Sequence, residues 1–546
     1  MRRIEATASP PANLKETTAL HAARGEWEPL QAILYASPAA FKTVIVEEAS
    51  LIHAETGALL PTARIYRQMD VEITAGAELG PLPAGRHADA LVPLEVPTSP
   101  EADSAAQAGC QRLWVDFFVP YTAGPGRYHG RLSFRLADGS SLLAKFTLDV
   151  WDFDMPATPS LHSILGITPE AVSAAHGLPW DPARISLRQA GLLNDYYDLL
   201  AEHRVGAERV HTLLPNADGT ISMEKVEFSL RKHLLHRHAP ATALPIRAEW
   251  PFAAPLHADR LRAETCLADY GRLLEKIHQV GRMPVILDHL HHPADEAAYA
   301  TLREWGAFLN EVEKKHGVKL PLLVTTSPVP ASKKLGRLDG VADIWALSAA
   351  DLWTDMEWPG GGHESAVRRQ AGDQLWLATR PQQPPAEWVR RHPEQAGKLH
   401  HSHPPVLGPS FPPEAHRVFT WYLAKYGITG LLHEKALAPA PQAGAWAALT
   451  GMDTAMIYPA TTAQHGRDFP VASIRLKWLR EALEDYDYLV LARDLGLADR
   501  KRQITETFAR SLGDWDANMP ALMAARFELA RMIEQVLKRR QTAASY

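Results

Sequence analysis

The run "PVILDHLHHPADEAAY" (Pro284–Tyr299) carries the reading on which the fold depends. Pro284 to Leu287 is an apolar stretch of strand length, ending abruptly at Asp288 and His289. Pro293 then opens a second pattern, in which Tyr299, Leu302, Leu309 and Val312 recur at helical spacing. A short apolar strand, a polar loop and an amphipathic helix make one β/α unit. The same rhythm runs on both sides. Candidate strands are "SLHSILGI", "RVHTLLP", "ALPIRAEW", "PVILDHL", "LPLLVTT", "ADIWALS", "DQLWLAT" and "GLLHEKAL", with helical stretches such as Leu187–His203, Leu261–Val280 and Pro413–Tyr426 between them. Eight alternating units predict a (β/α)8 TIM-like barrel over residues 160–465. A doubly wound open sheet is the alternative, but no glycine-rich dinucleotide loop follows the first strand.

Outside the barrel the pattern changes. "RLSFRL" and "LAKFTLDV" alternate strictly and flank Asp138-Gly139, a hairpin signal. "QRLWVDFFVP" is a further strand, and the spacing of turns predicts an N-terminal β-sandwich over residues 1–156. Pro156 and Pro159 mark a linker. Beyond residue 466 the chain reads as helices packed on the barrel, with Leu476, Leu479, Leu483, Tyr486 and Val490 forming an apolar stripe.

The 546 residues exceed one ordinary core and predict a multidomain protein. Lys and Arg number 57 against 63 Asp and Glu, a net charge of −6, so there is no electrostatic footprint for nucleic acid or an anionic membrane. Two distant cysteines make neither a disulfide framework nor a zinc pattern. The N-terminal stretch has no apolar segment behind its two arginines, and no run reaches the ~20 residues of a membrane span, so a cytoplasmic protein is expected. No cofactor is expected, and nothing fixes an oligomeric state.

In a barrel of this kind the working residues lie at the C-terminal ends of the strands. That rule selects Trp250 after strand three, Asp288 and His289 after strand four, Arg380 after strand seven, and His433 and Glu434 after strand eight. Trp353 and Trp358 fall in the loop after strand six. Indole rings beside carboxylates and an arginine suit sugars, which offer C–H faces and hydroxyls. The histidines around Asp288 invite a metal reading, but the run lacks an i, i+4 pair and the chain has 25 histidines throughout, so no metal is expected. Asp295 and Glu296 follow Pro293 as acids at a helix start, where the dipole favours them. Asp288 ends a strand and has no helix to serve.

The chain also resembles glycoside hydrolase family 123, the β-N-acetylgalactosaminidase-like group with its C-terminal domain of unknown function. The resemblance is carried by "ARGEWEPLQ", "DALVPL", "LWVDFFVPYTAGPGRYHGRLSF", "VWDFDMPATPSL", "LLVTTSP", "LDGVADIWAL", "WYLAKYGITGLL" and, most specifically, "SIRLKWLREALEDYDYL" (Ser473–Leu489). It implies a glycan substrate, such as an N-acetylhexosaminide, and a substrate-assisted retaining mechanism. In that mechanism the acetamido oxygen attacks, an Asp orients it, and a Glu is the general acid and base. The positions matching the family's Asp-Glu pair read Asp288-His289, so the acid is replaced by histidine. Its aromatic platform after strand eight reads His433-Glu434, and its Gly-Asp-Gly motif reads Gly451-Met452-Asp453. The acid could be supplied by His289, by Glu434 reaching across, or by Asp295-Glu296 in a shifted alignment. The other outcome is a glycan-binding or scaffold protein without catalysis.

Overall fold

The computed structural model describes residues 18–74, 82–97, 104–216, 218–234, 246–247, 256–280, 284–287, 293, 295–328, 335–355, 364–379, 390, 407–441, 445–450 and 453–544. Trp250, Asp288, His289, Trp358 and Arg380 lie outside them.

Eight parallel strands build the central sheet. Six are hydrogen-bonded in the order Gly206–Ala207, His162–Leu165, Gly430–His433, Gln374–Ala378, Ile344–Leu347 and Leu323–Val324. Val285–Ile286 joins the last of these through a parallel bridge between Val285 and Leu322, and Ile246–Arg247 pairs with Val285–Ile286. Numbered by sequence, the order is 2-1-8-7-6-5-4-3, a curled parallel sheet compatible with a TIM-like barrel. Pairing between the second and third strands, which would close the ring, is not recorded among the described residues.

Side-chain alternation divides the sheet into two faces. Ile164, Ile286, Leu323, Ile344, Ala346, Trp376, Ala378 and Leu432 form one small cluster on the inner face. Their chain neighbours Leu165, Val285, Val324, Trp345, Leu377 and Leu431 belong instead to the large core shared with the surrounding helices. The inner face is filled at its base. Trp376 lies across Gly430, where a Cβ would fall 2.2 Å from the indole, and His162 stacks on the same ring at 5.8 Å.

Seven of the eight expected strands lie where the alternation puts them. The second does not: it is Gly206–Ala207, while His211–Leu213 within "RVHTLLP" coils into a 3-10 turn. The helix read from Pro293 runs Glu296–His316 and buries Tyr299, Leu302, Leu309 and Val312. Asp295 is its N-cap, its carboxylate accepting from the Ala298 amide at 2.8 Å. The acids of "PADE" are therefore a helix start.

The N-terminal part forms two sheets. Thr18–Arg24, Ser141–Asp154, Gly126–Leu136 and Val44–His53 make one of four strands. Trp27–Tyr35, Arg64–Thr74, Gly85–Pro93 and Cys110–Phe118 belong to a second, and a single cluster of buried side chains draws on both. This second sheet is completed from the other end of the chain. Phe469–Ser473 pairs antiparallel with Gly85–Pro93, Ile457–Ala460 extends it, and Leu449–Thr450 pairs with Arg64–Thr74. The divisions expected at residues 156 and 466 thus do not separate independent sheets.

The helix Ile474–Asp494 follows at once and is the centre of the molecule. The sequence suggests one apolar stripe, yet 17 of its 21 residues are buried. Seven of its nine charged residues are buried, most of them against opposite charges. Arg475 binds Asp89 at 2.9 Å, and Lys477 and Arg480 bind Asp116 at 2.7 and 3.0 Å. Asp485 takes a two-pronged contact from Arg417 at 2.6 and 2.7 Å, and Asp487 binds Arg204 at 2.6 Å. Glu484 accepts from the Trp27 amide at 3.1 Å, and the Tyr488 hydroxyl donates to Glu26 at 2.8 Å. One helix is thereby bonded to the second sheet, to the parallel-sheet layer and, through Arg526 on Glu26 and Asp485, to the last helix, Met519–Ala544.

Candidate active site at the mouth of the parallel sheet

Strand Gly430–His433 places Leu432 on the inner face, and Glu434 follows by two residues. By strand alternation Glu434 continues the inner face at its C-terminal rim, and the residue is partly exposed. The chain turns there. Lys435 takes φ +53°, a left-handed conformation that is costly for a residue with a Cβ. Gly166, at the end of the neighbouring strand, makes room for it: a Cβ on Gly166 would lie 2.4 Å from the Lys435 nitrogen and 3.2 Å from the Glu434 Cα. The pinch is closed by hydrogen bonds from the Gly166 amide to the His433 carbonyl (2.7 Å) and from the Ala436 amide to the Gly166 carbonyl (3.3 Å). The Lys435 carbonyl accepts from the Thr454 hydroxyl at 3.2 Å.

His433 points the other way. It is 1% exposed, with Nε2 2.6 Å from the Thr454 carbonyl and Nδ1 2.6 Å from the Thr379 hydroxyl. A carbonyl only accepts, so Nε2 carries the proton and Nδ1 accepts from Thr379. Burial pushes the imidazole down to about 4, the Thr454 carbonyl opposing, so the ring is neutral at neutral pH. Both nitrogens are committed, and the side chain braces the rim from behind, where a glycan contact had been expected.

Trp353 also differs from its expectation. It lies in the short helix Ala349–Asp355, fully buried in the large core, and presents no ring face to solvent. Asp453 accepts from the Ala455 amide at 2.8 Å and shapes the turn that delivers Thr454 to His433. The Tyr299 hydroxyl lies 2.9 Å from that of Thr326, tying helix Glu296–His316 to the end of strand five.

The strand-end rule singles out Glu434 as a candidate but not the residues that hold its backbone. Gly166, Thr379, Thr454 and the left-handed Lys435 have no motif of their own. Only the isolated glycine at the end of "SLHSILG" hinted at a close backbone approach. Among the described residues no group of three His, Cys, Asp or Glu could hold a metal ion, and no helix is long and apolar enough to cross a membrane.

No protein-family model matches the sequence, and no curated protein matches it significantly. Solved structures do. A family 123 glycoside hydrolase from Clostridium perfringens, studied for glycolipid glycan hydrolysis, aligns over 97% of this chain and 94% of its own with a TM-score of 0.56 at 11% identity. A Bacteroides ovatus GH5 xyloglucanase aligns over 77% of this chain and 92% of its own, with a TM-score of 0.25 at 12% identity, too low to argue from. The chain therefore has a fold like that of the Clostridium perfringens family 123 hydrolase.

Proposed function

We propose that the protein acts on a glycan at the C-terminal mouth of the parallel sheet, as a glycoside hydrolase with Asp288 and Glu434 as its working carboxyls. The observation that carries this reading is the strained pinch at Gly166 and Lys435, which holds Glu434 at the inner rim. Register supports the partners. Ile286, Ala378 and Leu432 are on the inner face, and two residues beyond them the sequence reads Asp288, Arg380 and Glu434. Strand alternation would aim all three into one mouth.

In this reading Asp288 orients an N-acetyl group that supplies the nucleophile, and Glu434 is the general acid that the family takes from the residue after Asp288. Arg380 and Trp250 contact the sugar. His289, whose imidazole is suited to acid–base work near neutral pH, is the alternative acid. The two N-terminal sheets, read together as a sandwich, support the mouth. His289, standing where the resemblance would put the family's Glu, favours a second reading, a protein that binds glycans without cleaving them.

Aryl N-acetylhexosaminides separate these possibilities. With Glu434 as acid, Glu434→Gln lowers turnover by about 10² to 10⁴-fold while His289→Ala retains most of it. The reverse result makes His289 the acid. Turnover that survives Asp288→Asn and both acid variants removes the site. Oligosaccharide binding with no turnover on any glycoside leaves the binding protein.

A further inference from the structure

Strand Trp27–Tyr35 alternates, with Leu30, Ala32 and Leu34 facing the core between the two N-terminal sheets. Glu28 falls on that same apolar side. It is 6% exposed, and Arg417 and Arg480 act on its carboxyl against the neighbouring acids. It lines a cavity of about 440 Å³ between strand Thr18–Arg24 and helix Met519–Ala544, whose walls include Leu30, Met519 and Met523. A second hollow of about 430 Å³ adjoins it, and the two share His21, Trp151 and Phe527. These rings touch: His21 meets Phe527 at 4.8 Å, and Trp151 meets Phe527 at 5.1 Å. Phe527 is 40% exposed. The outer hollow ends on Arg127, Asp149, Glu534 and Lys538. A buried carboxyl, a waist of three aromatic rings and a charged rim thus lie along one cleft.

The surroundings select the ligand. Arg417 and Arg526 also line the inner cavity, but their guanidinium groups are taken by Asp485, Glu481 and Glu26, leaving no unpaired cation for an anion. Burial, with the Glu481 and Glu484 carboxyls beside it, raises Glu28 well above the usual carboxylate range, so it can donate as well as accept. What fits is neutral, has an apolar face for the rings and carries hydroxyls for Glu28. Each hollow falls within the range of small-molecule sites.

We propose that this cleft is a second saccharide-binding site, taking a neutral mono- or disaccharide stacked on Trp151 and Phe527 with a hydroxyl bonded to Glu28. It lies outside the mouth of the parallel sheet, and its ligand class rests on the glycan reading above. The test uses the full chain labelled with [¹³C-methyl]methionine, with N-acetylgalactosamine and lactose as probes. Met519 and Met523, assigned by Met→Leu substitution, report the inner cavity. The expected result is saturable shifts of both methyls, weakened about tenfold by Phe527→Ala and by Trp151→Ala and unchanged by Glu434→Ala. Phe527 is surface-exposed, so its truncation keeps the fold and the test stands even where Trp151→Ala does not fold. Calorimetric binding abolished by Glu434→Ala, with Met519 and Met523 silent, overturns this site and leaves the glycan reading intact. Shifts that persist in both aromatic variants overturn the stacked placement. Neither heat nor shifts with either sugar overturns both readings.

Discussion

Gly166 and Lys435 are held so close that the glycine's missing Cβ is the space the lysine amide occupies, 2.4 Å from where that carbon would be. The contact is backbone against backbone, so no side chain can rotate away to relieve it. Gly166→Ala is expected to displace the Glu434–Lys435 turn and to cost about 1–3 kcal/mol of stability. Turnover or glycan affinity should fall by more than the loss of folded protein explains. An alanine variant with wild-type melting and activity would show that the pinch does not position Glu434.

Asp116 is wholly buried between Lys477 and Arg480 and also accepts from the Trp114 indole at 2.6 Å. These cations hold its carboxyl far below the usual range despite burial. Removing its charge strands the buried Lys477 and leaves Arg480 with Glu481 alone. Asp116→Asn should cost about 3–5 kcal/mol in a denaturant titration, the usual penalty for breaking one side of a buried pair. A loss under 1 kcal/mol would mean that water reaches Lys477 and Arg480.

Glu481 is pushed up to about 7 by burial, against the pull of Arg480 and Arg417, and burial raises Glu28 and Glu484 as well. An imbalance adds to that burial: among the described residues, Glu26, Glu28, Asp89, Asp116, Glu481, Glu484, Asp485 and Asp487 share the buried cations Arg204, Arg417, Arg475, Lys477, Arg480 and Arg526. The unfolded chain releases these protons near the ordinary carboxylate pKa, about 4.3, while the folded chain keeps them. These carboxyls therefore take up protons on folding between about pH 4.5 and 7, and their contribution to stability is lost as pH rises through that window. Asp116 acts in the opposite sense at acid pH, and the buried imidazoles of His433 and His211, both pushed down to about 4, act in the opposite sense within the window. Glu481→Gln should therefore change the pH profile of the denaturation midpoint by removing a contribution that declines from about pH 5 to pH 7.5. A profile unchanged from wild type in Glu481→Gln would contradict the assignment.

Asp295 caps helix Glu296–His316 through the Ala298 amide. Asp295→Ala should cost about 1 kcal/mol and leave kcat unchanged, as expected of a cap. A selective loss of kcat would restore these acids to the chemistry.

The parallel sheet was legible because its strands are buried on both faces and read as short apolar runs between helices. Helix Pro413–Tyr426 could be bounded to the residue, since Pro413 starts it and Gly427, at φ +66°, ends it. "RVHTLLP" misled because apolar residues in a coiled turn look like those in a buried strand. The charges of Ile474–Asp494 were illegible for a deeper reason. On a helix, Arg, Lys and Glu read as a solvated face, and only Asp89, Asp116 and Glu26, far away in sequence, make their burial possible. Glu434 is a candidate from its position just past a strand end, and the strand Gly430–His433 does end there. His433 was expected beside it as a glycan contact, but one step along a strand turns a side chain to the opposite face.

The pairing of Phe469–Ser473 with Gly85–Pro93 has a consequence for synthesis. On the ribosome the early strands emerge long before the segment that completes their sheet. At about 5–20 residues per second the wait is on the order of tens of seconds. Throughout it the edge of Gly85–Pro93 stays unpaired, and Asp89 and Asp116 lack their cations. The nascent chain must keep that edge from pairing with neighbours until its last helices arrive, which makes expression rate and temperature, as much as sequence, the determinants of how much protein is recovered folded.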